Sequence, residues 1–360
     1  MARSTVVVLG GSDAALGTAA TLALGDRDVV LWEPASESAP GTVAETPRRV
    51  RVCGPEGDHE AVIARVTRDP FEALAAGDLI LVVMAGAEQA SIGDLLLPIA
   101  ERRHVIGLLP GDLGSLVCAK WLRDRGRLVD ESPTFVDVEA VPQVCRTVRA
   151  DHIRVLGASP RPGVGVFPAC RSGDALAALA PVFPGAHAFA NVVAASLGSL
   201  GPLLRPAVAL MNAGRFDGAD GRAPRCDVTP GVVRVIEAVD AERRAVSGAL
   251  GFELAPAAEA LSRQATLGEL LNAGDILSCG GAPVSLRDAL SRDVPGGLRL
   301  WAELGASCGV QVPAMRALLH LAEIAKGSAG WSVEHSLEDL GIEGMSPDVL
   351  GRYLETGALD

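Results

Sequence analysis

The sequence predicts an α/β protein: an N-terminal doubly wound parallel sheet of Rossmann type, followed by a mostly α-helical C-terminal domain. Three observations carry that expectation. Short, wholly apolar runs of Val, Ile and Leu alternate with helix-compatible stretches through the first part of the chain. A glycine-containing turn follows the first run. Beyond about residue 186, apolar residues recur instead at three- and four-residue spacing.

In order, Thr5-Val6-Val7-Val8-Leu9 is an apolar strand entering a turn, and Ala14 to Leu24 carries a helix pattern. Val29-Val30-Leu31-Trp32 is a second strand. Val50 to Val52 and Ala61 to Thr67, divided by Gly54-Pro55-Glu56-Gly57-Asp58, predict a hairpin. Leu79 to Val83 and Val105 to Leu109 are fully apolar strands, each followed by helix-compatible sequence. Val232 to Leu250, Ala257 to Ala273 and Pro313 to Lys326 predict helices. The change of character falls in an uncharged stretch, so the expected domains are 1–185 and 186–360.

Composition narrows the function. The 360 residues are 49% hydrophobic and 21% charged, enough for large cores and too apolar for intrinsic disorder. A net charge of −12 with dispersed arginines excludes nucleic acid as the main partner. The clusters Arg48-Arg49-Arg51 and Arg123-Arg125-Arg127 read as solvated faces among acids. Lys120 and Lys326 are the only lysines, and this bias toward Arg, Ala and Gly suggests a bacterial genome rich in G and C. Seven dispersed cysteines, with no CxxC and no HExxH, predict reduced thiols in a cytoplasmic protein and no metal site. The run Thr5 to Gly11 is too short and Gly-rich for a signal peptide. Ala175 to Leu204 carries no charge, but Pro181, Pro184, Pro202, His187 and Asn191 favour a buried domain junction over a membrane span.

The turn Gly10-Gly11-Ser12-Asp13-Ala14-Ala15 lies between a strand and a helix, the context in which G-x-G-x-x-G/A binds a dinucleotide. Gly10 fits the first position and Ala15 the third, while Ser12 replaces the second glycine. Its hydroxyl either crowds the phosphates or donates to them. Glu33 ends the next strand, where an acid accepts from a ribose 2′-hydroxyl and repels a 2′-phosphate. NAD is therefore expected over NADP, with Gly10, Ser12, Asp13, Ala15 and Glu33 as cofactor residues. An ordinary tight turn without nucleotide reads the same way.

Further motifs resemble the octopine/nopaline (opine) dehydrogenase family from end to end. Val29 to Glu33, Asp78 to Val83 and Leu109-Pro110-Gly111-Asp112-Leu113-Gly114 look like its cofactor strand, its pyrophosphate-side strand and its "PG" loop beside the nicotinamide. Glu131 and Pro142-Gln143-Val144-Cys145-Arg146 resemble "E…PYACR" with a longer insertion. Leu210 to Arg215 is similar to "LLNAGRIE", and Ile236 to Arg243 to "IDAER". Asp293-Val294-Pro295-Gly296-Gly297-Leu298, Gly309 to Pro313 and Ser336 to Ile342 are similar to "EDVPYGL…GVPTP…TLEKLGL". The resemblance implies a Rossmann domain and a helical domain, NAD(P)H as reductant, and reduction of an imine formed from a 2-oxo acid and an amino acid. It adds Met84, Pro110 and Gly111 to the cofactor residues. It suggests Glu131, Arg146, Asn212 and Arg287 as substrate-binding residues. Arg146 pairing with Glu131, and Asn212 closing a helix end, remain open as purely structural readings.

The departures fall on the chemistry. The family reads "NxNPVxHP" where this chain has Ser199-Leu200-Gly201-Pro202-Leu203-Leu204-Arg205-Pro206, so Arg205 stands in the place of a histidine. Of the run "RYLTED" only Asp293 remains; Arg292 replaces the glutamate, and Arg287 is one residue from the lost arginine. Histidine titrates near pH 6.5 and shuttles protons, whereas arginine stays charged. Arg205 is thus expected to polarise a carbonyl or grip a carboxylate, with Asp293 as its catalytic companion. His187, His320 and His335 do not match the family position. The expected function is an NAD(P)-dependent oxidoreductase of bacterial specialised metabolism acting on a small carboxylate-bearing substrate, with a homodimer as one possible assembly. A repurposed condensing or cyclising enzyme, or a silent scaffold subunit, are the alternatives.

Overall fold

The computed structural model describes residues 5–25, 27–34, 46–54, 57–84, 93–139, 143–149, 151–158, 161–216, 226–264, 285–291, 293–327 and 335–359. Pro142, Arg292 and the helix expected beyond Gln264 lie outside them. The chain divides into two compact units, Met1–Ala195 with Leu354–Asp360, and Ser196–Tyr353. The division thus falls past the expected Gly185, and the end of the chain returns to the first unit.

The first unit is built on strands β1 (Thr5–Leu9), β2 (Asp28–Trp32), β5 (Arg65–Thr67), β6 (Leu79–Val82), β7 (Val105–Leu108), β8 (Thr134–Val138), β11 (Gly163–Phe167) and β12 (His187–Ala188). They form one sheet in the order β12-β11-β8-β7-β6-β1-β2-β5, parallel except for the β8–β11 pair. Val6 to Leu9, Leu79 to Val82 and Thr134 to Val138 are buried along their whole length. That burial explains why their runs are continuous rather than alternating. Helix α1 (Asp13–Ala23) follows the first strand.

A second sheet, not expected from the sequence, has the order β4-β3-β10-β9, from β3 (Arg48–Gly54), β4 (Gly57–Ile63), β9 (Gln143–Arg149) and β10 (His152–Ala158). The predicted hairpin is its β3–β4 pair. The run expected as one strand from Ala61 to Thr67 is split: residues to Ile63 stay in the hairpin, and Arg65–Thr67 joins the main sheet beside β2. This small sheet packs on α1, and Gly17 permits it. A Cβ there would lie 2.5 Å from the Cys145 sulfur.

The second unit is helical. Its principal elements are α6 (Gly201–Met211), α8 (Pro230–Ala249), α10 (Leu286–Ser291), α11 (Arg299–Ser307) and α12 (Pro313–Lys326); α2–α5, α7, α9 and α13 are further helices of the described residues, Pro70–Ala75, Gly114–Asp124, Ser172–Leu179, Val192–Gly198, Ala213–Phe216, Ala257–Gln264 and Pro347–Thr356. The three-and-four spacing of α8 buries Val232, Ile236, Val239, Arg243 and Val246. Buried Arg243 donates to Asp240 (2.6 Å), to the Leu197 carbonyl (2.6 Å) and to the Ala255 carbonyl (3.0 Å). The "IDAER" run is therefore a structural knot. Val192–Met211 is apolar and long enough to cross a membrane by composition, yet 72% of its apolar window is buried within the protein.

Candidate active site

In the main sheet the order turns about β1, which lies between β2 and β6. In open α/β sheets a ligand binds outside the carboxyl ends of the strands at such a switch point. Gly10 leaves β1 there with φ of 149°. A Cβ on it would lie 2.5 Å from the Val83 carbonyl oxygen and 2.8 Å from the Ala15 side chain, so the position admits only glycine. Ser12 caps α1, its hydroxyl accepting from the Ala15 amide at 3.2 Å. The amides of the first helical turn then lack intrahelical acceptors, which suits an anion. Asp13 Oδ2 accepts from the Thr147 amide at 2.9 Å and ties β9 to this helix end. Met84 follows β6 and is buried.

Glu33 follows β2, and its carboxylate accepts from Arg48 Nη1 at 2.6 Å. The two side chains are 28% and 18% exposed. Arg48, read from sequence as part of a solvated face, is instead mostly buried and paired with Glu33, the residue expected at a ribose. No local signal marks it; β3 must fold beside β2 to bring it there.

Pro110 and Gly111 follow β7 at the same edge. The Gly111 amide donates to the Val138 carbonyl at 2.9 Å, and a Cβ on Gly111 would lie 2.3 Å from that of Asp137. Asp112 and Leu113 then turn with φ of 47° and 63° into the helix α3 (Gly114–Asp124). Asp137 Oδ1 accepts from the Ser115 amide (3.2 Å) and Oδ2 from its hydroxyl (2.8 Å). Burial pushes this carboxyl up to about 7, while hydrogen bonds from Ser115 and the Leu113 backbone pull the other way. The sequence signal was present: one acid inside a strand otherwise made of apolar residues and threonine.

Glu131 does not join this edge. It stands exposed before β8, at the amino ends of the strands, beside an open hollow of about 460 Å³ lined by Pro98, Glu101, Arg102 and Arg127. Glu139, which immediately follows β8, stands at the carboxyl edge, three residues before Pro142. Arg146 is exposed on β9, directly across from Arg154 of β10, and Glu131 lies outside that sheet.

In the helical unit Arg205 and Asp293 meet. Arg205 Nε lies 2.5 Å from Asp293 Oδ2 and Nη2 2.5 Å from Oδ1, a bidentate pair. Asp293 is 4% exposed and Arg205 27%. Gly201 makes room, since a Cβ there would lie 2.3 Å from Arg205 Nη2. The carboxylate grip expected of Arg205 is thus made, but with a carboxylate of its own chain. Asn212, expected at the substrate, donates to the Val208 carbonyl (2.9 Å) and the Asp227 carbonyl (3.1 Å) and accepts from the Asp227 amide (2.9 Å). Its amide is engaged at both ends in closing α6. Arg287 is exposed on α10, near enough to Lys326 for its charge to help burial lower that ammonium's pKa. His187 and His320 are exposed, and His335 is buried, which lowers its pKa.

Comparison with known proteins agrees with this architecture. Residues 188–326 match the model of the NAD/NADP octopine/nopaline dehydrogenase alpha-helical domain. An opine dehydrogenase of Arthrobacter sp. (strain 1C) is 26% identical over 356 residues, 95% of this chain and 96% of that relative. Octopine dehydrogenase solved with NADH and agmatine superposes with a TM-score of 0.72 at 16% identity, over 99% of this chain and 98% of that one. Yersinopine dehydrogenase bound to NADP+ gives 0.65 at 16% identity, over 98% of each. The chain has an octopine/nopaline dehydrogenase-type helical domain at residues 188–326, and over its whole length it is similar to the opine dehydrogenases and shares their fold.

Proposed function

We propose that the chain is an NAD(P)-dependent oxidoreductase that reduces the C=N or C=O bond of a small carboxylate-bearing substrate in the cytoplasm. The glycine turn at the switch point of the sheet carries this reading: Gly10 is packed too closely for any side chain, and α1 begins directly after it at the carboxyl end of β1. These residues fit a pyrophosphate, with Pro110 and Gly111 on the nicotinamide side. When bound, the cofactor would supply the hydride.

The residues of the chain do the rest. Glu33 accepts from a ribose hydroxyl while it shares its charge with Arg48. Arg48 also offers a cation to a 2′-phosphate, so the preference for NAD over NADP is weaker than Glu33 alone would make it. Arg205 cannot move a proton at ordinary pH; held by Asp293, it stabilises negative charge on a substrate oxygen electrostatically. The ion pair at the position of the family histidine also favours a second reading, a repurposed condensing or cyclising enzyme on the same fold.

Calorimetric titration with NADH and NADPH tests the proposal. NADH should bind more tightly, and Arg48→Ala should widen the difference. Binding of neither at millimolar concentration would remove the oxidoreductase reading. An unchanged preference for NADH in Glu33→Ala would remove Glu33 from ribose recognition.

A further inference from the structure

We infer that Asp137 is a positioning residue: its buried carboxylate fixes the loop 109–113 as the nicotinamide-side wall of the cofactor site. The inference rests on the cofactor reading above. In register, Asp137 lies opposite Leu108, so its side chain stands where the chain leaves β7. The loop then takes two successive non-glycine residues, Asp112 and Leu113, through the left-handed region that Cβ sterics disfavour. Such a bend persists only where its surroundings hold it.

Three contacts from β8 supply the hold. Gly111 donates its amide to Val138 and approaches Asp137 too closely for any side chain. Ser115 donates both amide and hydroxyl to the carboxylate. Leu113 adds its backbone amide. Leu113 itself offers no side-chain cap to α3, so the helix is capped from across the fold by Asp137. A carboxylate that is 3% exposed is costly in a strand otherwise made of apolar residues and threonine. Its hydrogen-bond donors all come from the bend and from the helix start behind it.

Protonation offers a reading of this role that packing does not. Ionised, the carboxylate accepts from both the Ser115 amide and its hydroxyl; protonated, it accepts these bonds more weakly and its own proton makes the hydroxyl turn to accept. The neighbours leave that titration to Asp137. Leu108 on β7 and Gly165 on β11 face it without titrating, and the Cys118 thiol on α3, pushed up to about 12 by burial, stays neutral. Asp112 is the remaining acid of the loop.

The test is NADH titration of the full chain at pH 8 and pH 6, for wild type, Asp137→Asn and Ser115→Ala, with amide exchange of residues 111–115 followed by mass spectrometry. Wild-type affinity should fall about tenfold from pH 8 to pH 6, the factor one charge-assisted hydrogen bond supplies. Asp137→Asn should bind weakly and equally at both, with faster exchange at residues 113–115. Ser115→Ala, which keeps the carboxylate and removes one donor, should weaken binding less and retain the pH dependence. Wild-type affinity and pH dependence in Asp137→Asn would overturn this inference alone. A wild-type chain that binds neither cofactor would overturn it together with the reading it rests on.

Discussion

Replacing Arg205 with leucine strands a carboxylate. Asp293 is 4% exposed, and the guanidinium holds both of its oxygens at 2.5 Å. Leaving one partner of a fully buried pair costs about 3–5 kcal/mol. Arg205 keeps 27% of its side chain exposed, so water already screens the pair and the lower end, about 3 kcal/mol, is expected. Asp293→Asn leaves instead a guanidinium that can reach water, for about 1–2 kcal/mol. Arg205→Leu/Asp293→Asn removes both charges and should recover much of the loss, giving a coupling of about 2 kcal/mol. Guanidinium chloride unfolding of the four chains, followed by tryptophan fluorescence, measures the cycle. Single effects that add within about 0.5 kcal/mol would refute the argument, because no interaction would then join the two residues. Under stabilising conditions, Arg205→Leu should retain wild-type NADH affinity and lose about 2–4 kcal/mol of transition-state stabilisation.

Asp137→Asn should change how stability depends on pH. The folded carboxyl titrates at about 7 and the free one at 3.8, so the native state binds the extra proton. Wild-type stability should therefore fall as pH rises from about 4 to about 7, by about 4 kcal/mol in all, and the asparagine variant should lack that slope in denaturant titrations. Asn212→Ala removes the lock between α6 and Asp227, and a loss of about 1–3 kcal/mol should appear in thermal unfolding with NADH affinity unchanged. Turnover should show no histidine limb, since Arg205 stays charged. A limb near neutral pH should vanish in Asp137→Asn and survive replacement of His187, His320 or His335; a limb that follows one of those histidines would require a different proton donor.

Much of this was legible because its causes are local. Continuous apolar runs marked the buried strands, and three-and-four spacing marked the α8 and α12 helices. Gly10 was legible because a turn at the end of a strand restricts which residues fit, whereas Pro110-Gly111 was marked by resemblance alone. The second sheet was not legible, since β9 and β10 join β3 and β4 across long stretches of chain, and only the packing on α1 selects that pairing. The place of Glu131 needed the direction of β8, which puts that glutamate at the amino edge, away from the glycine turn.

The sequence by itself determined the two-part α/β and helical organisation and the glycine turn. Burial periodicity and steric demand act on neighbours along the chain. Tertiary structure alone decided what the charged groups do. It set Arg48 against Glu33, closed the fork of Arg205 on Asp293, turned Asn212 inward on backbone, and buried Asp137 beneath the loop. A charge takes its role from partners and solvent within a few ångströms, and those are fixed only when distant segments pack.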